Sequence, residues 1–498
     1  WLRINAMPIV VIALIIFLVL VPIGRLFISS FQLGHPAFPE GWTLSNYTTA
    51  FTLDDFYVVL GRTFWIAAVG TAISLSLAIV LAWLVERTDM PFRNLAWVMI
   101  LVPMAIPLIL FAMGWNLLLA PKSGAINLFL RDLLEFMGIT LEQGPINVYS
   151  VGGLIFLDAI RGVTTIFLMV VGSFRMMDPT LEEAARVSNA NRLVTFFKVT
   201  IPAMSPAILA AGMYSFILSM ESFESALAVG VPGGVLVMST MIYFTTKIQP
   251  PPDYGLGAVF GVVFMLIMLL LLIFYRRAVR HTERYSTITG KGYRPRIISI
   301  GKWRYPAFCL FLVYFFIAVI LPFAILLWVS LLPSYRVPSF DVLHLVSLKN
   351  FYAVFQDDTF RKVLWNTIFL MLATATVTMI LAFFVSWMVV RGRGLGSSAL
   401  DLLVFIPLAV PGIVIAMALL IAYLSPPLSY TGVYGTVWIL VIGLVVSYLP
   451  FSTRLMNGAI VQVHKDLEQA ARVSGVKLLR TLLFITLPLL LPAFVAGW

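Results

Sequence analysis

Ionisable side chains inside long apolar stretches are costly to bury, so they are the first places to look for chemistry. Asp158 and Arg161 stand three apart in one such stretch, and Glu221 and Glu224 three apart in another. Each spacing puts the pair on one face of a helix. Counted inward from the expected outer helix ends, all four lie at similar depth, and an acidic group facing an outer vestibule would suit a cationic or metal solute. The structural alternative is an Asp158–Arg161 ion pair, with two glutamates reaching water at the interface. Two proline pairs, Pro103/Pro107 and Pro407/Pro411, each spaced by four, remove two backbone donors from one helical face. They would open the helix at a path or gate, or kink it for packing.

Nothing catalytic accompanies these residues. His35, His281, His344 and His464 are scattered over loops without metal-ligand spacing, and Cys309 is the single cysteine, which rules out an intrachain disulfide or a cysteine metal cluster. Gly290-Lys291 lacks the leading glycine of a phosphate-cradling loop, so the chain carries no visible ATP site. No enzyme activity is expected, and no metal site.

The elements that must position these residues are membrane helices. Of 498 residues 61% are hydrophobic and only 11% charged, with a mean hydropathy of +1.00; so few charges cannot cover a soluble protein of this size. Stretches of about 20 apolar residues or more predict spans near 8–30, 63–85, 95–119, 151–174, 203–228, 256–275, 305–331, 363–390, 400–424 and 433–456, with an eleventh from Leu487. The first is too long for a secretory h-region and reads as a retained helix. The sequence starts without methionine and stops inside an apolar run, so missing ends and a twelfth helix are expected.

The net charge of +11 comes from residues between spans, which argues against nucleic acid. Lys and Arg are concentrated on the side that holds the N-terminus, placing it in the cytoplasm. Arg276, Arg277, Arg280, Arg284, Lys291, Arg294, Arg296, Lys302 and Arg304 form the densest cluster, read as a topology anchor touching lipid headgroups.

The chain repeats itself. Thr43-Leu44-Ser45-Asn46-Tyr47 returns as Ser347-Leu348-Lys349-Asn350-Phe351, Ala82-Trp83 as Ser386-Trp387 and Val102-Pro103 as Ile406-Pro407, all at a spacing of 304 residues. Leu181 to Ser188 returns as Leu467 to Ser474 at a spacing of 286, the difference falling in the longer outer loop around Lys122 to Ser150. Both copies of the later motif fall on the cytoplasmic side, so the expected fold is an all-α polytopic membrane protein of two tandem parallel six-helix repeats. The expected domains are residues 1–280, a basic linker at 281–304, and residues 305–498, which are truncated. Asp158 and Arg161 correspond to Leu444 and Ser447, so that charged pair belongs to the first half alone.

Between the fourth and fifth spans of each half lies a polar segment. Thr180 with Glu183, and Asp466 with Gln469, have capping-box spacing and predict a short helix at each site. Thr200-Ile201-Pro202 and Thr486-Leu487-Pro488 then mark the first turn of the next span. Two matching cytoplasmic protrusions call for two matching partners.

These segments resemble the EAA loop of binding-protein-dependent ABC importer permeases: Glu-Ala-Ala, three residues, Gly, nine residues, Ile or Leu, one residue, Leu or Pro. The first copy reads Glu183-Ala184-Ala185, Asn189 and Ile201-Pro202; the second reads Gln469-Ala470-Ala471, Gly475 and Leu487-Pro488. Asn189 replaces the glycine, a mild departure because Asn tolerates a left-handed backbone. Gln469 replaces the glutamate and cannot form an ion pair. The resemblance, to type I importers and within them to the fused ferric-iron uptake branch, implies that Glu182, Glu183, Ala184, Ala185, Asn189, Glu468, Gln469, Ala470, Ala471 and Gly475 couple the chain to ATPase subunits. It further implies a bacterial inner-membrane permease without its own cofactor, since ATP and Mg are held by a separate ATPase, itself a homodimer. A periplasmic or lipid-anchored solute-binding protein delivers the solute: ferric iron, or else thiamine, a phosphonate or a polyamine. The competing class is a secondary transporter driven by an ion gradient, which would have no need of paired docking helices.

Overall fold

The computed structural model describes residues 6–177, 179–280, 297–392 and 394–498; most of the basic linker expected at 281–304 lies outside them. Along the chain the helices are α1 (Ala6–Ser29), α2 (Ser45–Thr52), α3 (Asp54–Arg87), α4 (Arg93–Leu101), α5 (Leu108–Leu119), α6 (Ala125–Phe136), α7 (Val151–Met176), α8 (Pro179–Val187), α9 (Arg192–Thr195), α10 (Ile201–Met220) and α11 (Met238–Tyr243). They continue as α12 (Tyr254–Arg280), α13 (Arg304–Phe315), α14 (Leu321–Ser330), α15 (Lys349–Gln356), α16 (Asp358–Arg391), α17 (Leu395–Phe405), α18 (Gly412–Leu424), α19 (Val437–Gln462), α20 (Lys465–Val473), α21 (Leu478–Thr481) and α22 (Leu487–Gly497). One short antiparallel hairpin, β1 (Gln32–His35) and β2 (Phe38–Trp42), follows α1. The protein is an all-α polytopic membrane protein. Among the described residues nine helices are long and apolar enough to span, or up to twelve when three sharply bent pairs are each counted as one span.

Three expectations about the spans change. The helix expected at 95–119 is broken, its two arms meeting at 95° between Ala105 and Leu108, and the corresponding arms around Ala409 and Gly412 meet at 106°. Pro107 and Pro411 stand at the N-caps of the second arms, where a missing N–H costs nothing. The helix expected at 203–228 ends at Met220, and a further bent pair, Ala226–Gly233 with Met238–Ile248, follows it. Finally, the spans do not start at Pro202 and Pro488. A wide π-turn, Phe196–Thr200 or Leu482–Thr486, carries the helix into each proline from earlier residues, a local widening that accommodates the missing donor.

The longest spans match each other. Helices α3 and α16 each hold 34 residues and begin with aspartate and end with arginine, which suits the helix dipole at both ends. The repeated Asn46 and Asn350 also do the same work: each amide donates to two carbonyls just beyond the preceding span, Ser30 and Gln32 in one copy and Ser330 and Leu332 in the other.

Packing divides the chain differently from the repeat. One compact unit gathers residues 1–53, 242–269 and 355–498; the other gathers 54–241 and 270–354. In the first, α1 lies against α18, whose residues Met417 to Tyr423 are all buried, as befits a helix apolar all round, and α16 lies along α19. In the second, α3 lies along α7 and both meet α10, while α13 and α14 cover α4 and α5. Gly114 lets the chain approach Pro322 there: a Cβ would come within 2.7 Å of the proline backbone carbonyl.

Candidate functional site: two short helices and their arginine anchors

Helices α8 and α20 are nine residues each and occupy the two segments where short helices are expected. Each sorts its side chains by face with a helical period. Glu182 and Glu468 are buried, at 5% and 7% exposure, whereas Ala184 and Ala470 face outward and Val187 and Val473 are 90% and 89% exposed. The two alanines of each motif therefore differ in duty, since Ala471 packs inward while Ala470 is exposed.

Both helices end alike. Asn189 (φ 60) and Gly475 (φ 78) take the left-handed conformation, and the N–H groups of Ala190 and Val476 return to the carbonyls of Ala185 and Ala471. This is the Schellman closure, so the Asn is a working substitute for the glycine. The starts differ from expectation. Helix α20 begins before Asp466, whose N–H donates to His464 Nδ1 at 3.4 Å instead of joining a box with Gln469. The side chain of Thr180 lies outside those described.

The charge contacts within the chain are made by Glu182 and Glu468, the residue before Glu183 and Gln469 in each motif. Glu182 receives a charge-assisted bond from Arg87, the last residue of α3, and its other oxygen accepts from the Thr200 hydroxyl at 2.9 Å. Glu468 accepts from Arg391, the last residue of α16, at 3.2 Å, and from the Trp387 indole N–H at 3.0 Å. Each arginine also donates to the carbonyl at the end of the preceding span, Arg87 to Met177 at 3.5 Å and Arg391 to Val463 at 2.6 Å. Met177 and Val463 are themselves 286 residues apart, so the whole anchor is duplicated. The first copy is more elaborate. Arg175 bridges to Glu86 at 3.0 Å, and residues after the linker bind beside it: the Ile298 N–H donates to the Arg87 carbonyl, while the Ile300 N–H and the Ser299 hydroxyl donate to Asp89. The backbone donor at Ile300, then that hydroxyl, hold the Asp89 carboxyl below the usual carboxylate range.

The four charged residues expected in a path are brought near one another only in part. Asp158 and Arg161 do not pair. Asp158 accepts from Ser219 on α10, beside a cavity of about 10 Å³ lined also by Thr63, Ser222 and Ser225, room for about one water. Arg161 turns the other way and donates to the carbonyls of Pro103 and Ile106, the latter at 2.9 Å. A broken helix leaves carbonyls short of partners; the guanidinium donates to the Ile106 carbonyl and adds a second donor to the Pro103 carbonyl, which also accepts from the Ile106 N–H. Glu221 caps the C-terminus of α10, and Glu224 is exposed. Pro103, Pro407 and Pro411 are buried and Pro107 is exposed. Among the described residues no group of three His, Cys, Asp or Glu is placed to hold a metal ion.

Residues 74–284 and 378–498 match the family of binding-protein-dependent transport system inner membrane components. The chain belongs to that family. Over 98% of its length the permease is 24% identical to the ferric transport system permease protein FbpB of Actinobacillus pleuropneumoniae, covering 68% of that protein. It is 25% identical, again over 98% of its length and 74% of the relative, to the putative ferric transport system permease protein FbpB 1 of Haemophilus influenzae. A crystal structure of a bacterial ABC transporter importing alginate aligns with 50% of the permease and 85% of its own chain, at 18% identity and a TM-score of 0.41.

Arg87 and Arg391 are the residues of this permease that sequence reasoning passed over, and Thr200 and Trp387 were read only as a helix start and as part of the repeat. A signal for the arginines was present: they share the 304-residue spacing and close the two long spans. The pairing was hidden because their glutamates follow the other spacing, 286.

Proposed function

We propose that this permease forms the solute path of an ATP-driven importer and is worked by separate ATPase subunits that dock on α8 and α20. The observation carrying this reading is the duplicated two-faced helix. A nine-residue helix that buries its glutamate against its own chain and presents Ala184 and Val187, or Ala470 and Val473, to water has a face prepared for a partner. The ATPase pair supplies ATP and Mg, and a periplasmic or lipid-anchored binding protein supplies the solute; the chain sits in the bacterial inner membrane with its N-terminus in the cytoplasm. A gradient-driven carrier has no use for two such faces, and membership of a binding-protein-dependent family speaks against it.

Ferric iron is the solute we favour, because two relatives matching nearly the whole permease are ferric transport system permeases. Among the described residues Asp158, Glu221 and Glu224 are not grouped to hold a metal ion, so the iron reading rests on those relatives. The deciding experiment is ATP hydrolysis by the full-length permease reconstituted in lipid with its ATPase and binding protein, with ferric iron, thiamine, polyamines and phosphonates tried in turn. Stimulation by ferric iron alone is expected. Stimulation by another solute would overturn the iron reading, and failure to assemble with any ATPase, together with gradient-driven uptake, would overturn the importer reading.

A further inference from the structure

In each copy of the docking segment one arginine holds three pieces of chain together. Arg87 belongs to α3, grips the Met177 carbonyl at the end of α7 and binds Glu182 of α8; Arg391 belongs to α16, grips the Val463 carbonyl beyond α19 and binds Glu468 of α20. The side chains of the first pair are 0% and 7% exposed and those of the second 18% and 10%. Exposed ion pairs are weak and easily exchanged for water, but a pair withdrawn from water has no such replacement, so separating it is strongly resisted. These contacts are therefore stiff links between a short exposed helix and the end of a 34-residue span.

We infer that Arg87 and Arg391 are positioning residues that carry displacement of the docking helix into the long spanning helices. The inference rests on the docking function proposed for α8 and α20, and it assigns the transmitting contact to residues that are not part of the docking face. Arginine suits this task better than lysine, because its planar fork reaches a carboxylate and a carbonyl at once. The two links differ in their third partner. Glu182 also holds Thr200 in the π-turn entering α10, so the first link reaches the next span; Glu468 holds Trp387 on α16 itself, and the equivalent Thr486 hydroxyl is buried without a partner. The first link thus reaches three spans and the second two.

The test uses the full-length permease reconstituted with its ATPase and with binding protein loaded with ferric iron, and reads co-elution of the ATPase and iron transported per ATP hydrolysed. With Arg87→Met or Arg391→Met, co-elution should stay within about two-fold, because neither arginine lies on the docking face, while transport per ATP should fall at least ten-fold. Arg87→Lys, which keeps the ion pair but loses the fork, should retain a third or more of the coupling; a space-filling role would make Lys and Met alike. Unchanged transport per ATP in both Met variants, or equal loss in Lys and Met, overturns the inference while leaving docking intact. Should Arg87→Met fail to fold, Glu182→Gln keeps the shape and removes the charge, and normal coupling in that variant overturns the inference equally. Failure of the unaltered permease to co-elute with the ATPase would instead sink the docking reading itself.

Discussion

Replacing Arg87 with methionine would leave the buried Glu182 carboxylate with the Thr200 hydroxyl as its remaining donor. Removing one partner of a buried ion pair costs about 3–5 kcal/mol, and each 1.4 kcal/mol is about a factor of ten. Helix α8 would then be released in a fraction of molecules larger by roughly two to three and a half orders of magnitude. The same change at Arg391 should be milder, because that pair is partly open to solvent and Glu468 keeps the Trp387 indole. Loss of a hydrogen bond to a charged group costs about 1.5–3 kcal/mol, or about ten- to 150-fold. Amide hydrogen exchange of the purified permease reports these openings locally. Exchange across Leu181–Thr195 in the Arg87 variant should accelerate more than exchange across Leu467–Thr481 in the Arg391 variant. Unchanged exchange in the Arg87 variant, or a larger effect at Arg391, would refute the burial argument.

Three further outcomes are expected. Val187→Glu with Val473→Glu places charges where two nearly fully exposed valines stand; burying a valine is worth about 1.5–3 kcal/mol, so ATPase association measured by co-elution should weaken ten-fold or more per site with no loss of helix content, and undiminished association would remove these faces from the interface. Arg161→Met strips the donor from the Ile106 carbonyl, while the Pro103 carbonyl keeps the Ile106 N–H, costing about 1–3 kcal/mol for the one unsatisfied group; a lower midpoint of thermal unfolding in detergent is expected, and an unchanged midpoint would show that the break does not need the guanidinium. Asp89 has a depressed folded-state pKa, so its contribution is present above its ordinary value of 3.8 and is lost as pH falls through the lower folded value. Asp89→Asn should accordingly be less stable than the unaltered chain at pH 7, with the difference shrinking as pH drops below about 4; a gap that persists at low pH would mean that the carboxylate charge is not responsible.

How much could be read from the sequence is clearest at the two short helices. The duplicated Leu-Glu-(Glu/Gln)-Ala-Ala pattern located both short helices, and the left-handed turn was legible at Asn189 and Gly475 because so few residue types accept positive φ. Hydropathy located the long spans for an equally local reason, since each needs only enough consecutive apolar residues. The proline spacing marked where two helices open, but not the 95° and 106° turns that follow, nor which side chain would reach the first of them. Arg161 does so from 55 residues away at Ile106.

Spacing also suggested that Asp158 and Arg161 would pair and that Asp466 would cap its helix. At the first, nearness along the chain lost to more distant partners, Ser219 for Asp158 and backbone carbonyls for Arg161; at the second, the Asp466 N–H went to the still nearer His464. By itself, then, the sequence determined the membrane class, the repeat and the position of the two short helices, because composition, periodicity and backbone preference are local properties. Only the tertiary structure decided that Glu182 and Glu468 turn inward and which arginine, 95 or 77 residues earlier, receives each. A buried charge must be met by whatever cation the packing brings to it, and packing is not written in spacing.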